Sequence, residues 1–334
     1  MLAAFYERPG AARDVLQLAT LADPQPQAGE VRVRMRWSGV NPSDVKARAG
    51  SRGPTLAFPR IIPHSDGMGV IDAVGPGVAT TRIGKRVWTW NAAWGRPGGT
   101  AAQFTCLPAE QAVTLPDDAP DEAGACLGIP ALTALHAVLT DGGVAGQRVL
   151  VAAGAGAVGH YAVQFAKLLD ARQVLATAST PAKQALARAA GADFVADYRE
   201  ARAAEHLRSA TQGEGVDRII EVDIAANAAL NLAVMRPGAT WVVYGSGARE
   251  FQLPFFPLIA QEALLRFFIV YNLQPAERAR AEELLTDFLA RGLLEHNIAE
   301  RVPLREIVRA HELVESGRAT GNVVVQIDES PSRP

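Results

Sequence analysis

Cysteine occurs only twice, at Cys106 and Cys126, so a disulfide framework is not expected and both residues read as reduced thiols of an intracellular protein. Two cysteines also cannot supply a four-cysteine zinc lobe. Neither sign of charge is in real excess: 33 Lys and Arg against 35 Asp and Glu leave a formal net charge of -2, which gives no overall attraction to nucleic acid or to an anionic membrane. Long apolar runs are missing too. Glu7, Arg8 and Pro9 interrupt the first residues before a signal-peptide core can form, and charge, Gly or Pro breaks the later runs. A cytoplasmic protein without membrane insertion is the expectation.

The 334 residues, 49% hydrophobic and 20% charged, exceed the usual size of one cooperative core and predict two domains. The first third is rich in short strands and turns. Glu30 to Trp37 alternates polar and apolar residues, as a strand with one wet face does, and "GMGVIDAVGPGV" and "GKRVWTW" continue the pattern. "NPSDVKARAG" reads as a short helical insertion. After the proline-bounded joint at Asp117 to Pro120, apolar and small residues predict packed helices through Leu139, and then a strand–helix rhythm begins. Its strands "RVLVAA", "QVLATAS", "DFVADY", "VDRIIEV", "TWVVYG" and "FFIVY" are nearly all apolar, the mark of a parallel sheet covered on both faces. A long helix from Asn272 onward, then a helix and a final strand in "ERVPLREIVRAHELVESGRATGNVVVQI", are compatible with a tail that rejoins the first domain.

Gly154, Gly156 and Gly159 form G-x-G-x-x-G between an apolar strand and an apolar-periodic helix. In that context Gly154 serves the tight turn, Gly156 lets a diphosphate approach the backbone, and Gly159 lets helix and strand pack closely. The helix N-terminus offers N–H groups to the phosphates. No Asp or Glu stands between Asp170 and Asp193, where a site for the non-phosphorylated dinucleotide places a carboxylate on the adenosine ribose. Ser179, Thr180 and Lys183 stand there instead, and hydroxyls with an ammonium suit a 2′-phosphate. The same residues also read as a helix cap before Pro181 with a solvated lysine. NADPH is the expected cofactor.

"GVNPSDVKARAG", "IIPHSDGMGVIDAVGPGV", "GKRVW", "LGIPALTALHAV", the "GAGAVG" loop and "VESGRATGNVVVQI" together resemble the medium-chain dehydrogenases/reductases, and within them the zinc-independent quinone oxidoreductase group that includes zeta-crystallin. The resemblance implies an α/β protein: a GroES-like irregular β-barrel catalytic domain, residues 1–122 plus 270–334, with an inserted Rossmann doubly wound parallel sheet, residues 123–269. It implies NADPH in the cleft between the two. It also implies cofactor contacts by Asn41, Thr133, Gly154, Gly156, Ala157, Val158, Gly159, Ser179, Thr180 and Lys183, then by Gly245, Ser246, Gly247, Phe268, Val270, Arg318 and Asn322. A homodimer, possible edge-strand pairing of nucleotide domains and absence of catalytic zinc follow from the same likeness. Zinc-dependent relatives place a Cys where Asn41 stands and a ligand His in the segment read here as His64-Ser65-Asp66.

The resemblance implies an NADPH:quinone oxidoreductase, with a reductase of conjugated aldehydes or ketones as the alternative and an NADPH-binding structural or RNA-interacting role as a third reading. No basic-aromatic RNA module accompanies the last. A hydroquinone oxyanion needs no dedicated acid, in keeping with the lack of a recognisable acid–base pair. On the acceptor side Asn41, His64, Trp90 and Trp94 are the candidates. Asn41 reads as a donor to a substrate oxygen, a holder of a cofactor hydroxyl, or a turn residue before Pro42. His64 borders the entrance or is an ordinary turn histidine, and Trp90 and Trp94 line a flat apolar cleft or fill a core. Asp44 and Asp66 are read as fixing the fold around the cleft.

Overall fold

Alternating burial along Glu30–Val40 sets the organising strand of the first half of the chain: one face is covered, and past Trp37 both are. The computed structural model describes residues 1–51 and 53–327. In chain order the strands are β1 (Leu2–Phe5), β2 (Gln17–Thr20), β3 (Glu30–Val40), β4 (Asp66–Val74), β5 (Arg86–Thr89), β6 (Phe104–Pro108) and β7 (Ala112–Thr114). Next come β8 (Arg148–Val151), β9 (Gln173–Thr177), β10 (Phe194–Ala196), β11 (Val216–Glu221), β12 (Met235–Val243) and β13 (Leu264–Phe267), then β14 (Ile298–Pro303) and β15 (Asn322–Gln326). Packing divides them into two units, Met1–Pro130 with the chain from Glu282 onward, and Ala131–Ala281.

The first unit is a mixed seven-stranded sheet in the order β14-β15-β3-β4-β5-β7, with β6 also paired to β3. The tail does rejoin it: Val323 to Gln326 pair antiparallel with Trp37 to Val40. Val31, Val33, Met35, Ile71, Val87, Leu107, Val323 and Val325 are sealed in its core, each side chain contributing about 1.5–3 kcal/mol by leaving water. The Pro42–Arg48 helix follows β3 directly, started by Pro42 at a position with no N–H to lose and closed by Lys46 and Arg48 in its last turn.

The second unit is a six-stranded, all-parallel sheet in the order β10-β9-β8-β11-β12-β13. This is the doubly wound arrangement, reversing direction between β8 and β11. Leu150, Leu175, Ile219, Trp241 and Val243 are buried within it. Parallel strands put all their C-terminal ends on one edge, and a ligand crevice forms there.

Three details differ from the sequence expectation. The polar connection after β10 contains a helix, Ala203–Ala210, whose burial is confined to Ala203 and Leu207. The last strand of the parallel sheet is Leu264–Phe267, so Phe268 and Ile269 lie beyond it and Val270–Asn272 is a single 3₁₀ turn. β12 starts at Met235, because the helix before it ends at Val234. Among the described residues no helix is long and apolar enough to cross a membrane.

Candidate functional site

At the edge of the parallel sheet the chain turns sharply out of β8. Ala153 carries the positive φ of 53°, not Gly154, so the tight turn is not what requires glycine at 154. Space requires it: a Cβ on Gly154 would sit 2.6 Å from the Ala176 Cβ on β9. Gly159 is still more constrained, since its Cβ would lie 2.1 Å from the Ala153 carbonyl oxygen. Gly156 differs from both. Only Ala153 comes within reach of a Cβ there, its oxygen at 3.2 Å, so the outer face of the Gly156 backbone is open to a ligand. The turn is pinned by two bonds from β9: the Ala153 N–H donates to Thr177 Oγ1 at 3.1 Å, and the Gly154 N–H to the Thr177 carbonyl at 3.0 Å.

Gly156 is the N-cap of the Ala157–Leu168 helix, whose first N–H groups, at Ala157, Val158 and Gly159, have no partner within the helix. Beyond β9, Ser179 is buried and Thr180 caps the Pro181–Ala189 helix, its Oγ1 accepting from the Lys183 N–H at 3.2 Å. The capping reading of Thr180 therefore holds. Lys183 is half-buried, and its ammonium makes no ion pair among the described residues. Ser179, Thr180 and Lys183 thus stand between the end of β9 and the first turn of the next helix, with no carboxylate between Asp170 and Asp193.

Further along the same edge, Gly245, Ser246 and Gly247 follow β12. Two acidic residues absent from the sequence reading shape that loop. Glu221, fully buried at the end of β11, accepts from the Asp223 N–H at 2.5 Å and from the side-chain amides of Asn227 and Asn231 at 2.8 and 2.7 Å. Asp223 in turn accepts from the Gly247 N–H at 2.7 Å. Phe268 packs its ring 4.6 Å from that of His136, one turn beyond the buried Thr133 on the Leu132–Leu139 helix. Val270 is buried and its carbonyl accepts from Arg278 at 2.7 Å.

In the first unit, Asn41 is the N-cap of the Pro42–Arg48 helix and only 3% exposed. Its backbone N–H donates to Asp44 and its side-chain amide to Asp66 Oδ2, both at 2.9 Å. Asp66 Oδ2 also accepts from the Ile129 N–H at 3.0 Å, while Oδ1 has no partner. Burial, with the nearby Asp44 charge, holds the Asp66 carboxyl well above the usual carboxylate range. Trp90 is buried and Trp94 half-buried in the loop after β5. That loop lies against the histidine segment: the Ala92 N–H donates to the Ser65 carbonyl at 3.2 Å, and a Cβ on Gly99 would strike the carbonyl oxygens of Ile62, Pro63 and His64. Asn41, His64, Asp66 and the tryptophan loop thus form one neighbourhood.

His64 itself is sealed from solvent, with φ of 77°, and burial lowers its pKa to about 3. Both ring nitrogens are engaged, Nδ1 with Ser38 Oγ at 2.8 Å and Nε2 with His311 Nε2 at 2.9 Å. Nothing in local sequence signals His311, which lies on the Ile307–Glu315 helix. Arg318 is exposed, and Asn322 commits its side-chain amide to the Asn297 carbonyl at 3.1 Å. Among the described residues no group of three or more His, Cys, Asp or Glu side chains is placed to hold a metal ion.

Residues 27–117 match the family model described as alcohol dehydrogenase GroES-like domain, and residues 157–290 the one described as zinc-binding dehydrogenase. The chain is 28% identical to the quinone oxidoreductase of Homo sapiens over 317 residues, covering 93% of this chain and 94% of that protein. It is 30% identical to a 2-haloacrylate reductase of Burkholderia sp over 342 residues, covering 97% and 98%. A mycobacterial protein solved in complex with NADPH superposes with a TM-score of 0.85 at 28% identity, covering 98% of this chain and 99% of that one. By its GroES-like and Rossmann sheets, its glycine turn and these near full-length likenesses, the chain belongs to the medium-chain dehydrogenase/reductase family, in the zinc-independent quinone oxidoreductase (zeta-crystallin-like) group.

Proposed function

We propose that this chain is an NADPH-dependent reductase that passes hydride to a quinone. The observation that carries the cofactor choice is the tip of β9, where Ser179, Thr180 and the unpaired Lys183 ammonium replace the carboxylate that would repel a 2′-phosphate. The mycobacterial relative that holds NADPH and the run of quinone oxidoreductases among the relatives support the reading.

When bound, the reduced nicotinamide supplies the hydride. The chain binds and orients it: the N–H groups of Ala157, Val158 and Gly159 take the diphosphate, Ser179 and Lys183 the adenosine phosphate, Asn41 the nicotinamide half, and the backbone of Gly245, Ser246 and Gly247 a further part of the cofactor. Thr133, Phe268 and Val270, with Arg318 and Asn322, remain the other proposed cofactor contacts. Asn41, Trp90 and Trp94 serve the acceptor. A hydroquinone oxyanion is a weak enough base to form without simultaneous protonation and to collect its proton from solvent afterwards, so the sealed His64 need not move one.

A second reading, reduction of an α,β-unsaturated carbonyl compound, is favoured by the 30% identity to a 2-haloacrylate reductase. Measuring NADPH and NADH oxidation against a panel of quinones and a panel of conjugated enones and acrylates separates the two. At least tenfold higher kcat/KM with NADPH than with NADH is expected, with the quinones turned over faster. Turnover of the enones alone reverses the order, and equal use of NADH removes the role given to Lys183.

We further propose a homodimer of cytoplasmic location. β13 is an edge strand, and around it lie Phe256, 79% exposed, and Leu264, 59% exposed, with Phe255, Ile259 and Phe267. An unpaired edge flanked by apolar side chains fits a second copy of the same strand. Sedimentation of Leu264→Glu as a monomer, against a wild-type dimer, is the expected result; a wild-type monomer refutes it.

A further inference from the structure

A row of buried polar groups in the first unit has no part in the chemistry described above. Thr100 Oγ1 lies 2.5 Å from the Asp66 carbonyl oxygen, Ser38 Oγ 2.7 Å from Thr100 Oγ1, and His64 Nδ1 2.8 Å from Ser38 Oγ. His64 Nε2 meets His311 Nε2 at 2.9 Å, and the Arg48 Nε–H donates to His311 Nδ1 at 3.4 Å. Arg48 completes its own set with the Gly10 carbonyl and Glu315. Ser38, Thr100, His64, His311 and Arg48 are all fully buried.

The two ends fix every proton between them. A carbonyl only accepts, so the Thr100 hydroxyl donates to Asp66, the Ser38 hydroxyl donates to Thr100, and His64 Nδ1–H donates to Ser38. A guanidinium only donates, so His311 Nδ1 is bare and its proton is on Nε2. The two deductions meet at the contact between the imidazoles: His311 Nε2–H donates to a bare His64 Nε2. Their ring centroids are 5.1 Å apart with planes 25° from parallel, the edge-to-edge placement that an in-plane N–H···N bond needs. A second proton on either ring would set two hydrogens against each other somewhere in the row.

We propose that Arg48 and His311 are positioning residues for the acceptor side, holding His64 in its left-handed backbone conformation through a one-way chain of hydrogen bonds and so fixing Asp66 and the Asn41 amide it accepts from. A non-glycine residue at positive φ costs free energy and persists only where its surroundings over-determine it. Here the two ring bonds of His64 do so, two residues before Asp66. Losing them lets the Pro63–Asp66 turn relax, and Asp66 carries Asn41 with it. Charged groups around the row are Arg48 and Glu315, with the Arg13–Glu312 pair on the outer face of the Ile307–Glu315 helix and Asp66 and Asp44 beyond the turn. The effect on catalysis rests on the acceptor-side role given to Asn41; the chain of protons does not.

Nitrogen-15 spectra of the imidazoles in the wild-type protein at pH 7 test the chain without any variant. His64 is expected as the Nδ1–H tautomer and His311 as the Nε2–H tautomer, with scalar coupling between the two Nε2 atoms across the bond. An Nδ1–H tautomer at His311, or a doubly protonated ring at either position, overturns the proposal. Kinetics then test the positioning. His311→Leu should lower kcat for the acceptor at least tenfold while the Kd for NADPH stays within twofold. His311→Gln, which keeps an acceptor for Arg48 and a donor for His64, should restore kcat to within about threefold. No rescue by Gln, or equal losses in NADPH affinity and kcat, refutes the positioning role. If the protein reduces no acceptor while the tautomers are as stated, the acceptor assignment fails and the chain of protons stands.

Discussion

Alanine at Gly159, Gly156 and Gly154, one at a time, divides the glycine turn into packing and binding parts. At Gly159 the new Cβ would sit 2.1 Å from the Ala153 oxygen and 2.8 Å from the Ala153 carbonyl carbon, both backbone atoms that no side-chain rotation can move. Relief requires the Ala157–Leu168 helix to shift away from β8, and overpacking of this kind costs about 1–3 kcal/mol. For a unit of this size that lowers Tm by roughly 2–12 °C. At Gly156 the nearest atom is the Ala153 oxygen at 3.2 Å, so a shift of a few tenths of an ångström suffices. Stability should change by less than about 1 kcal/mol, the scale of an N-cap substitution. The methyl group nevertheless stands where a diphosphate would approach, and a tenfold weaker NADPH complex, about 1.4 kcal/mol, is the expected minimum. Gly154→Ala, 2.6 Å from the Ala176 methyl, should resemble Gly159→Ala. Thermal unfolding followed by circular dichroism gives the first quantity and fluorescence titration with NADPH the second. Undiminished NADPH affinity in Gly156→Ala would refute the diphosphate cradle, and a wild-type Tm in Gly159→Ala would refute the packing argument.

Ala153→Gly should stabilise the protein, because relief of about 1–2 kcal/mol at its positive φ exceeds the roughly 0.5–1 kcal/mol that glycine's unfolded-state freedom costs; a lower urea midpoint would contradict this. Arg218, 1% exposed, donates to the carbonyls of Ala137 and Thr140 at 3.2 and 2.9 Å at the end of the Leu132–Leu139 helix. Arg218→Met removes both bonds, although the Thr140 carbonyl keeps the Gly143 N–H at 3.1 Å, and should cost about 1–3 kcal/mol in chemical denaturation. Acid should weaken the fold well before the carboxylates titrate. Burial lowers the His64 and His160 pKa values to about 3 and about 4 and that of His311 well below its usual value, so each takes up a proton on unfolding once pH falls below about 6.5. Asp66, raised by burial, works against them, since its folded form holds a proton that the unfolded chain releases. The His136 pKa is lowered by burial in the same way, so four histidine uptakes outweigh that one release, and stability should fall as pH drops from about 6 to 4.5. Urea midpoints independent of pH across that range would count against buried neutral histidines.

What could be read from the sequence was what local chemistry determines. The glycine spacing, the apolar strands β8 and β9 and the carboxylate-free tip of β9 are each set within a few neighbours, and the structure has them where the pattern puts them. The spacing gives the tight turn to Gly154, whereas Ala153 takes the left-handed conformation, held by N–H bonds to Thr177 that a linear reading does not contain. The end of the last parallel strand is not legible, because Leu264 to Val270 is almost uniformly apolar and offers no alternation to mark where pairing with β12 stops. The Ala203–Ala210 helix leaves little apolar pattern in the sequence, since only Ala203 and Leu207 of its residues are buried. His64 could be singled out but not understood. Its partner His311 is 247 residues away, on a helix brought to it by the tail's pairing of β15 with β3 and by the bonds from Arg48.

That pairing also orders events at the ribosome. Strands β8 to β13 are contiguous, so the parallel sheet can close as soon as its own residues have emerged. β3 must wait on one side: Trp37 to Gly39 can pair with β4, but their other edge stays open until Val323 to Gln326 are synthesised. During that interval a nearly finished polypeptide carries one completed half and one open-edged half, and its exposure to chaperones and to aggregation is concentrated in the half that was made first.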